Sequence, residues 1–184
     1  PPEAQGRFSE IAGKVVGLVG YGQVARRLAT VLDALGATVL VHGRQPCRPE
    51  TGTFASKAEL LERADIISLH IPGTPETHHW IDAVAIERMK QGAIIINTAR
   101  GTIIDEAALM DALASGHLAG AGLDVFESEP LRKGLPILTA PNLVVLPHVA
   151  WLTRETLERS LQEATANIDR LRNGRPLRNQ HLKQ

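Results

Sequence analysis

The chain has 184 residues, 43% of them hydrophobic, which suffices for one well-packed domain but not for two full ones. Twenty Lys and Arg residues balance twenty Asp and Glu residues, and only 3% of residues are aromatic, so the composition argues against nucleic acid and anionic membrane surfaces as partners. The single cysteine, Cys47, cannot form an internal disulfide and no segment resembles a signal peptide or a membrane span, so we expect a soluble cytoplasmic protein in which Cys47 is incidental.

Short apolar runs alternate with helical patterns along the chain. Strands are predicted at 14–20, 38–43, 65–71, 92–99, 118–125 and 142–148, and helices at 23–36, 56–64, 82–90 and 105–116. The strand segments are apolar at nearly every position instead of alternating, as expected when helices cover both faces of a parallel sheet. The predicted fold class is therefore α/β, with a doubly wound parallel sheet.

A fifth helix is predicted at 153–174, where apolar residues recur at helical spacing and Gly174 can cap the C-terminus. The polar ends of the chain contain many turn-forming residues. We interpret residues 1–13 as an N-terminal connector, 176–184 as a C-terminal tail, and 14–175 as one domain.

The segment GLVGYGQVA places Gly20, Gly22 and Ala25 in the GxGxxG/A pattern, directly after a strand and directly before a helix. In this pattern the first glycine permits a tight turn, the second lets the backbone approach a pyrophosphate, and the small third residue lets the helix pack closely. The N–H groups near Gln23 and Val24 then face the anion. We interpret the segment as the phosphate site of a Rossmann-type NAD(P)-binding domain; the alternative is a tight turn without a ligand.

The second predicted strand ends at Gly43, about 20 residues past the glycine loop, where such domains normally carry the acid that binds the adenosine ribose. Gly43 has no carboxylate to repel a 2′-phosphate, and the next residue, Arg44, can offer paired N–H donors to that phosphate. We therefore expect NADP(H) to be preferred over NAD(H). The alternative is that Arg44 is a solvated loop charge and that both cofactors are used.

Three further motifs lie at the C-terminal ends of predicted strands, where open parallel sheets bind their ligands. They are NTARG with Arg100, GLDVFESEP with Asp124 and Glu129, and LPHVAW with His148. Taken singly, each residue could be structural, but their placement behind a dinucleotide loop favours a catalytic site. We expect Arg100 and His148 to face one cavity.

Together with the glycine loop, LHIPGTPETHHWI and INTARGTIIDEAAL, these motifs make the chain resemble the nucleotide-binding domain of the D-isomer-specific 2-hydroxyacid dehydrogenases, from about residue 6 to 179. The GRQP segment is most similar to the glyoxylate/hydroxypyruvate reductase branch. The resemblance implies an oxidoreductase that reduces small 2-oxo acids to D-2-hydroxy acids with NAD(P)H.

The resemblance also assigns roles to individual residues. It makes Arg100 the anchor of the substrate carboxylate, which suits a planar guanidinium. It makes His148 the general acid that protonates the carbonyl oxygen, and Glu129 the group that orients the His148 ring. The further cofactor contacts that it implies are Pro72, Thr77, Ala99 and Asp124.

Three other histidines are given no part in the chemistry. His70 matches a segment that lines the cofactor cleft in the family, and we expect it to be structural. His78 and His79 are adjacent in a loop and lack partners at metal-ligand spacing, so we interpret them as exposed polar residues and predict no metal site.

The main departure from the family is length. Family members carry a second, flavodoxin-like domain that closes over the substrate, and almost all of it is missing here, so we expect the cofactor domain of a larger dehydrogenase with little activity alone. The resemblance also implies a homodimer. The alternatives are a dinucleotide-sensing module resembling the C-terminal-binding corepressors, which acts through protein partners, and a phosphate-binding structural domain without turnover.

Overall fold

The computed structural model describes residues 9–46, 48–132 and 134–179. The predictions for Cys47, for residues 1–8 of the connector and for residues 180–184 of the tail lie outside this part of the chain. The chain divides into two compact units, Pro1–His148 and Val149–Gln184. The predicted domain boundaries stay a prediction.

In the described part of the first unit, the strands are β1 (Val15–Val19), β2 (Thr38–His42), β3 (Thr53–Phe54), β4 (Ile66–Leu69), β5 (Ala93–Asn97), β6 (Leu118–Leu123) and β7 (Leu143–Val145). They form one parallel sheet in the order β3-β2-β1-β4-β5-β6-β7. The chain runs outward from β1 to β3 and then crosses back to β4 on the other side of β1. The predicted doubly wound α/β sheet is therefore confirmed, and its switch point lies between β1 and β4.

The helices of the first unit are α1 (Gln23–Ala34), α2 (Lys57–Arg63), α3 (Ala83–Glu87) and α4 (Glu106–Ala114), with 3₁₀ turns at Pro75–Thr77, Gly101–Ile103 and Pro136–Thr139. Helices α2, α3 and α4 each begin after a residue whose side-chain oxygen accepts a first-turn N–H, namely Ser56, Asp82 and Asp105. Helix α1 differs, because its N-cap is Gly22, which has no side chain to fill that role. The N-terminal N–H groups of α1 are thus left for another acceptor.

The core lies on both faces of the sheet. A Cβ on Gly17 of β1 would meet the Leu60 side chain of α2 at 2.8 Å, so this position faces the α2 layer. The next residue, Leu18, is fully buried in the cluster that contains Ala25 and Ala29 of α1. Consecutive residues of β1 therefore face opposite layers, which explains why its sequence is apolar throughout.

Two elements differ from the sequence predictions. Strand β3 was not predicted, because its two residues are too short to show a period; pairing with Leu40 and Val41 of β2 defines it. Helix α3 ends at Glu87, whereas the pattern predicted helix over 82–90. The residues after it turn towards β5 through the Met89 N–H, which donates to the Ile86 carbonyl.

The second unit contains one helix in its described part, α5 (Arg154–Arg172), where a helix was predicted over 153–174. Thr153 caps its N-terminus with its side chain. At the other end the Arg175 N–H donates to the Arg170 carbonyl at 2.8 Å, across the predicted Gly174 cap. Over residues 9–46, 48–132 and 134–179, the helices are all too short or too polar to cross a membrane.

Candidate active site

The phosphate loop joins β1 to α1. The Gly20 N–H donates to the His42 carbonyl at 2.7 Å, and the Gly20 φ of 98° lies in the left-handed region. A Cβ on Gly20 would lie 2.6 Å from the His70 carbonyl oxygen, so a side chain does not fit at this turn. Gly22 differs, because a Cβ there would find no heavy atom within 4 Å. The chain itself therefore does not need glycine at position 22.

An open cleft of about 310 Å³ lies beside this loop. Its walls come from the start of α1 and from the C-terminal ends of β4 and β5, which meet at the switch point of the sheet. The lining residues are Gly22, Gln23, Val24, Ala25, Leu69, His70, Ile71, Pro72, Thr98, Ala99 and Arg100. The structure thus brings five predicted cofactor residues together with the predicted substrate anchor.

The loop after β4 is ordered by its own side chains. The Thr77 hydroxyl donates to the Pro72 carbonyl at 2.6 Å and accepts the Thr74 N–H at 2.8 Å. Thr77 does not line the cleft, so it acts on the cleft wall through Pro72. His70 Nε2 lies 2.9 Å from the Ser68 hydroxyl, and burial lowers the pKa of His70. His70 also lines the cleft, and its structural role stays a prediction.

Arg100 is presented by a turn that follows β5. The Asn97 side chain is buried, and its amide nitrogen donates to the Arg100 carbonyl at 2.9 Å while its oxygen accepts the Ala99 N–H at 3.0 Å. A Cβ on Gly101 would overlap the Phe126 carbonyl group. Glycine therefore lets the Arg100 turn pack against the backbone of residues 126–127. Neither Asn97 nor Gly101 was predicted as a site residue, although both belong to the NTARG motif.

Glu129 and His148 form a hydrogen-bonded pair, with 2.7 Å between Glu129 Oε2 and His148 Nδ1. Burial acts to raise the pKa of Glu129, but hydrogen bonds from His148 and the Phe126 N–H and the nearby Arg100 charge outweigh it and lower that pKa. Glu129 is then ionised at neutral pH and can only accept, so His148 Nδ1 is the donor. Nε2 is the His148 nitrogen that can carry a transferable proton.

The backbone also fixes His148. Its φ of 57° is left-handed, which is uncommon for a residue with a side chain and is found at functional sites. The His148 N–H donates to the Asp124 carbonyl at 2.8 Å, and the Asp124 N–H donates to the Asn97 carbonyl at 2.9 Å. These bonds join the ends of β5, β6 and β7. Asp124 itself is only 2% exposed.

Arg100 and His148 do not share one hollow. His148 and Glu129 line a hollow of about 340 Å³ with Phe126, Pro130, Leu131 and Pro147, whereas Arg100 lines the cleft. The expectation of a single cavity is therefore not met, because the Arg100 guanidinium turns back to its neighbour, the Ala99 carbonyl, at 2.6 Å. The Arg100 guanidinium nevertheless acts on Glu129, because its charge helps to lower the pKa of that carboxyl group.

His79 is not the exposed polar residue that the sequence predicted. Its Nε2 lies 2.8 Å from Glu127 Oε1, and its side chain is 33% exposed. His79 Nδ1 also lies 3.9 Å from Asp105 Oδ2. The prediction was wrong because Glu127 is 48 residues away in sequence, which local spacing cannot show. His78, next to it, is exposed as expected.

Residues 2–150 match the sequence model described as "D-isomer specific 2-hydroxyacid dehydrogenase, NAD binding domain". The chain belongs to this family. The match covers both the phosphate loop and His148, so the D-2-hydroxyacid dehydrogenase domain contains every predicted site residue.

Individual relatives within the family are reductases and dehydrogenases. The chain is 39% identical over 169 residues to a glycerate dehydrogenase of Methylorubrum extorquens, covering 91% of this chain and 52% of that protein. It is 40% identical over 163 residues to a glyoxylate reductase of Aeropyrum pernix, covering 86% of this chain and 49% of that protein. The chain therefore spans about half the length of the curated relatives that it matches.

Solved structures of a dehydrogenase and of a reductase share the fold. D-lactate dehydrogenase with NAD+ from Lactobacillus jensenii superposes with a TM-score of 0.88 at 32% identity, over 95% of this chain and 57% of that one. An acyclic imino acid reductase (Bsp5) in complex with NADPH and D-Arg superposes with a TM-score of 0.85 at 33% identity, over 92% of this chain and 54% of that one. These neighbours contain different nicotinamide cofactors, so the family fold is a nicotinamide-dinucleotide-binding domain without a fixed choice between them.

Proposed function

We propose that this chain is the cofactor-binding and proton-transferring part of a reductase that converts small 2-oxo acids, of the glyoxylate and hydroxypyruvate type, into D-2-hydroxy acids, with NADP(H) preferred over NAD(H). The observation that carries this proposal is the cleft in which Arg100 lies beside the phosphate loop. The next residue, Gly101, packs against the 126–127 backbone, close to the hydrogen-bonded pair of Glu129 and His148. The names of the relatives support the substrate class. Because the chain spans about half of those relatives, the activity is proposed for the whole protein.

The cleft has the features that a dinucleotide requires. The open space at Gly22 and the uncapped start of α1 suit a pyrophosphate, which would accept N–H groups from Gly22, Gln23 and Val24. Pro72 and Ala99 would flank the cofactor farther along the cleft. When bound, the nicotinamide supplies or accepts the hydride.

Thr77 and Asp124 stay proposed contacts of the cofactor. The Thr77 hydroxyl already orders the Pro72 carbonyl, so its contribution is to keep that wall of the cleft in place. Asp124 follows β6, where its N–H donates to the Asn97 carbonyl, and the family resemblance gives it the nicotinamide carboxamide as partner. Asp124 is only 2% exposed, so little of its surface is open to a cofactor.

The preference for NADP(H) rests on the end of β2. This strand ends at His42, so Gly43 stands where a ribose-binding acid would be, and Arg44 follows it with an exposed side chain. One group opposes the preference. The pKa of Glu76 is lowered, first by a hydrogen bond with Thr74 and also by the Arg44 charge, so a carboxylate stands near this guanidinium. We propose that Arg44 attracts the 2′-phosphate more strongly than Glu76 repels it.

The catalytic steps follow from the charges and donors of three side chains. Arg100 would leave the Ala99 carbonyl, bind the carboxylate of a 2-oxo acid through paired N–H donors and turn the carbonyl oxygen of the acid towards His148. His148 would donate the Nε2 proton to that carbonyl oxygen as the oxygen gains negative charge. Glu129 would hold the ring through Nδ1 and stabilise the protonated imidazole before transfer. In the reverse direction, His148 takes the proton back.

The activity is tested with the protein expressed from its complete reading frame. NADPH consumption is measured with glyoxylate and with hydroxypyruvate for the wild type, for His148→Gln and for a control, His117→Gln. His117 is a suitable control because it precedes β6 and so lies at the N-terminal ends of the strands, whereas the predicted site lies at their C-terminal ends. We expect His148→Gln to lower kcat about 100-fold or more and the control to stay near wild type. A wild type that is inactive over a panel of 2-oxo acids would refute the enzyme proposal, and retained cofactor binding would then favour the sensing module.

The proposal also includes a homodimer located in the cytoplasm, as the family resemblance implies. Sedimentation of the purified protein tests the dimer, and a monomer mass at micromolar concentration would remove it from the proposal. Fluorescence microscopy of a tagged full-length protein tests the location.

A further inference from the structure

Residues 43–52 connect β2 to β3 and carry Arg44, the residue on which the proposed cofactor preference depends. The start of this segment is fixed by the sheet, since His42 ends β2 and its Nδ1 lies 3.1 Å from the Ala55 carbonyl oxygen. Its other end returns past the phosphate loop. There it is bound by a residue of the GYG sequence, Tyr21, to which no role has been assigned above.

Tyr21 makes two hydrogen bonds to the backbone of one residue in this segment. Its hydroxyl donates to the Thr51 carbonyl at 3.2 Å and accepts the Thr51 N–H at 3.2 Å. The ring is half-buried against the core cluster of α1. The guanidinium of Arg26 lies 4.7 Å from the centre of the ring, which stacks a cation on the same side chain. Tyr21 thus joins the phosphate loop to the far end of the Arg44 segment.

A second and weaker contact, an ion pair between Arg26 and Glu50, joins α1 to the same segment. Arg26 Nη1 lies 2.8 Å from Glu50 Oε1, but the two side chains are 48% and 78% exposed. Exposed ion pairs of this kind contribute little, because water screens them and the long side chains lose freedom. The two Tyr21 hydrogen bonds therefore hold Thr51 more firmly than the ion pair holds Glu50, and the pairing of Thr53 with Leu40 of β2 holds the residue that follows the segment.

We propose that the Tyr21 hydroxyl is a positioning group that determines cofactor specificity. NADPH presents two anionic parts, the pyrophosphate and the 2′-phosphate, which must be met at the same time by the phosphate loop and by Arg44. A segment already held against the phosphate loop need not be ordered on binding, so the affinity is higher. NADH lacks the 2′-phosphate and gains nothing from this restraint. The inference rests on the proposed NADP(H) preference.

The test uses this chain alone, because it concerns cofactor binding and not turnover. Calorimetry gives the Kd of NADPH and of NADH for the wild type and for Tyr21→Phe, which keeps the ring and loses both hydrogen bonds. We expect about five-fold weaker NADPH binding, the size for a pair of long neutral hydrogen bonds, and a change below about two-fold for NADH. The matched control is Thr51→Ser, which keeps both backbone partners and should bind NADPH within about two-fold of wild type.

A second measurement reports on the restraint itself. Amide hydrogen exchange at Thr51 should become faster in Tyr21→Phe, because the Thr51 N–H loses its acceptor. Equal weakening for both cofactors, no weakening, or unchanged exchange at Thr51 would each overturn the role of Tyr21. Failure of the cofactor proposal has a different signature, since a wild type that binds NADH at least as tightly as NADPH refutes the argument from Arg44 before any variant is compared.

Discussion

Replacing Gly22 by alanine should separate the role of the phosphate loop in folding from its role in binding. Gly22 has φ −80° and ψ −170°, which any residue adopts, and a Cβ there would find no protein atom within 4 Å. The folded chain therefore tolerates the methyl group. The only cost is a poorer N-cap, about 0.5 kcal/mol, which lowers Tm by about 1 to 2 °C.

The effect on binding should be larger. The new methyl group would stand where a pyrophosphate approaches the backbone at the start of α1, and it would displace the anion from at least one N–H donor. A hydrogen bond to a charged group contributes about 1.5 to 3 kcal/mol, so the Kd for NADPH and for NADH should rise about 10- to 100-fold.

Gly101→Ala is the matched comparison, because the same methyl group is added at a position where the protein leaves no room for it. A Cβ on Gly101 would overlap the Phe126 carbonyl group, so the two turns must separate. Overpacking of this kind costs about 1 to 3 kcal/mol, which lowers Tm by about 3 to 10 °C. Thermal melts and calorimetric titrations of both variants, made in this chain, provide the comparison. Wild-type cofactor affinity in Gly22→Ala, or a loss of Tm as large as that in Gly101→Ala, would refute the reasoning.

Three further predictions follow from single side chains. Arg44→Asp should shift the ratio of NADPH to NADH affinity towards NADH by about ten-fold or more in calorimetry, and an unchanged ratio would show that Arg44 does not bind the 2′-phosphate. In the full-length enzyme, Glu129→Gln should lower kcat about 100-fold with an unchanged KM for the cofactor, because His148 loses a charged partner at 2.7 Å; equal kcat would contradict the orienting role. Asp65→Asn should lower the free energy of unfolding of this chain at pH 7 by about 1 to 2 kcal/mol in urea titrations, since Asp65 accepts the Val15 N–H at 2.7 Å and a Lys90 bond at 2.9 Å. Burial acts to raise the pKa of Asp65, but these bonds lower that pKa overall. The contribution of Asp65 to stability is therefore full above its pKa in the unfolded chain and is lost as the pH falls through its pKa in the folded chain. Asp65→Asn should lack this loss of stability in acid, and a pH dependence identical to that of the wild type would contradict the prediction.

The sheet and helices could be predicted because their signals are local. Apolar runs marked the strands of the parallel sheet, and the side chains of Ser56, Asp82 and Asp105 cap helices close to the predicted starts. The turn at Gly20 could be predicted for the same reason, since its glycine pattern lies within six residues. Each of these features depends on neighbours in sequence, which a periodic or capping pattern records.

The features that could not be predicted depend on contacts distant in sequence. Tyr21 meets Thr51 across 30 residues, and His79 meets Glu127 across 48. Nothing in the spacing of the chain indicates which way a side chain turns, which is why Arg100 was expected to share a cavity with His148 and instead lies in the cleft. Strand β3 was missed because two residues are strand only through pairing with β2.

The cleft is walled by α1, by the end of β4 and by the end of β5, segments that leave the sheet at three separate points. A molecule bound there would contact all three segments and would therefore stabilise the folded state. Because such a ligand binds the folded chain and not the unfolded one, its binding raises the free energy of unfolding by about 2.7 kcal/mol at a ligand concentration one hundred times the Kd. The resistance of this domain to heat and proteolysis would then follow the supply of nicotinamide dinucleotide around it.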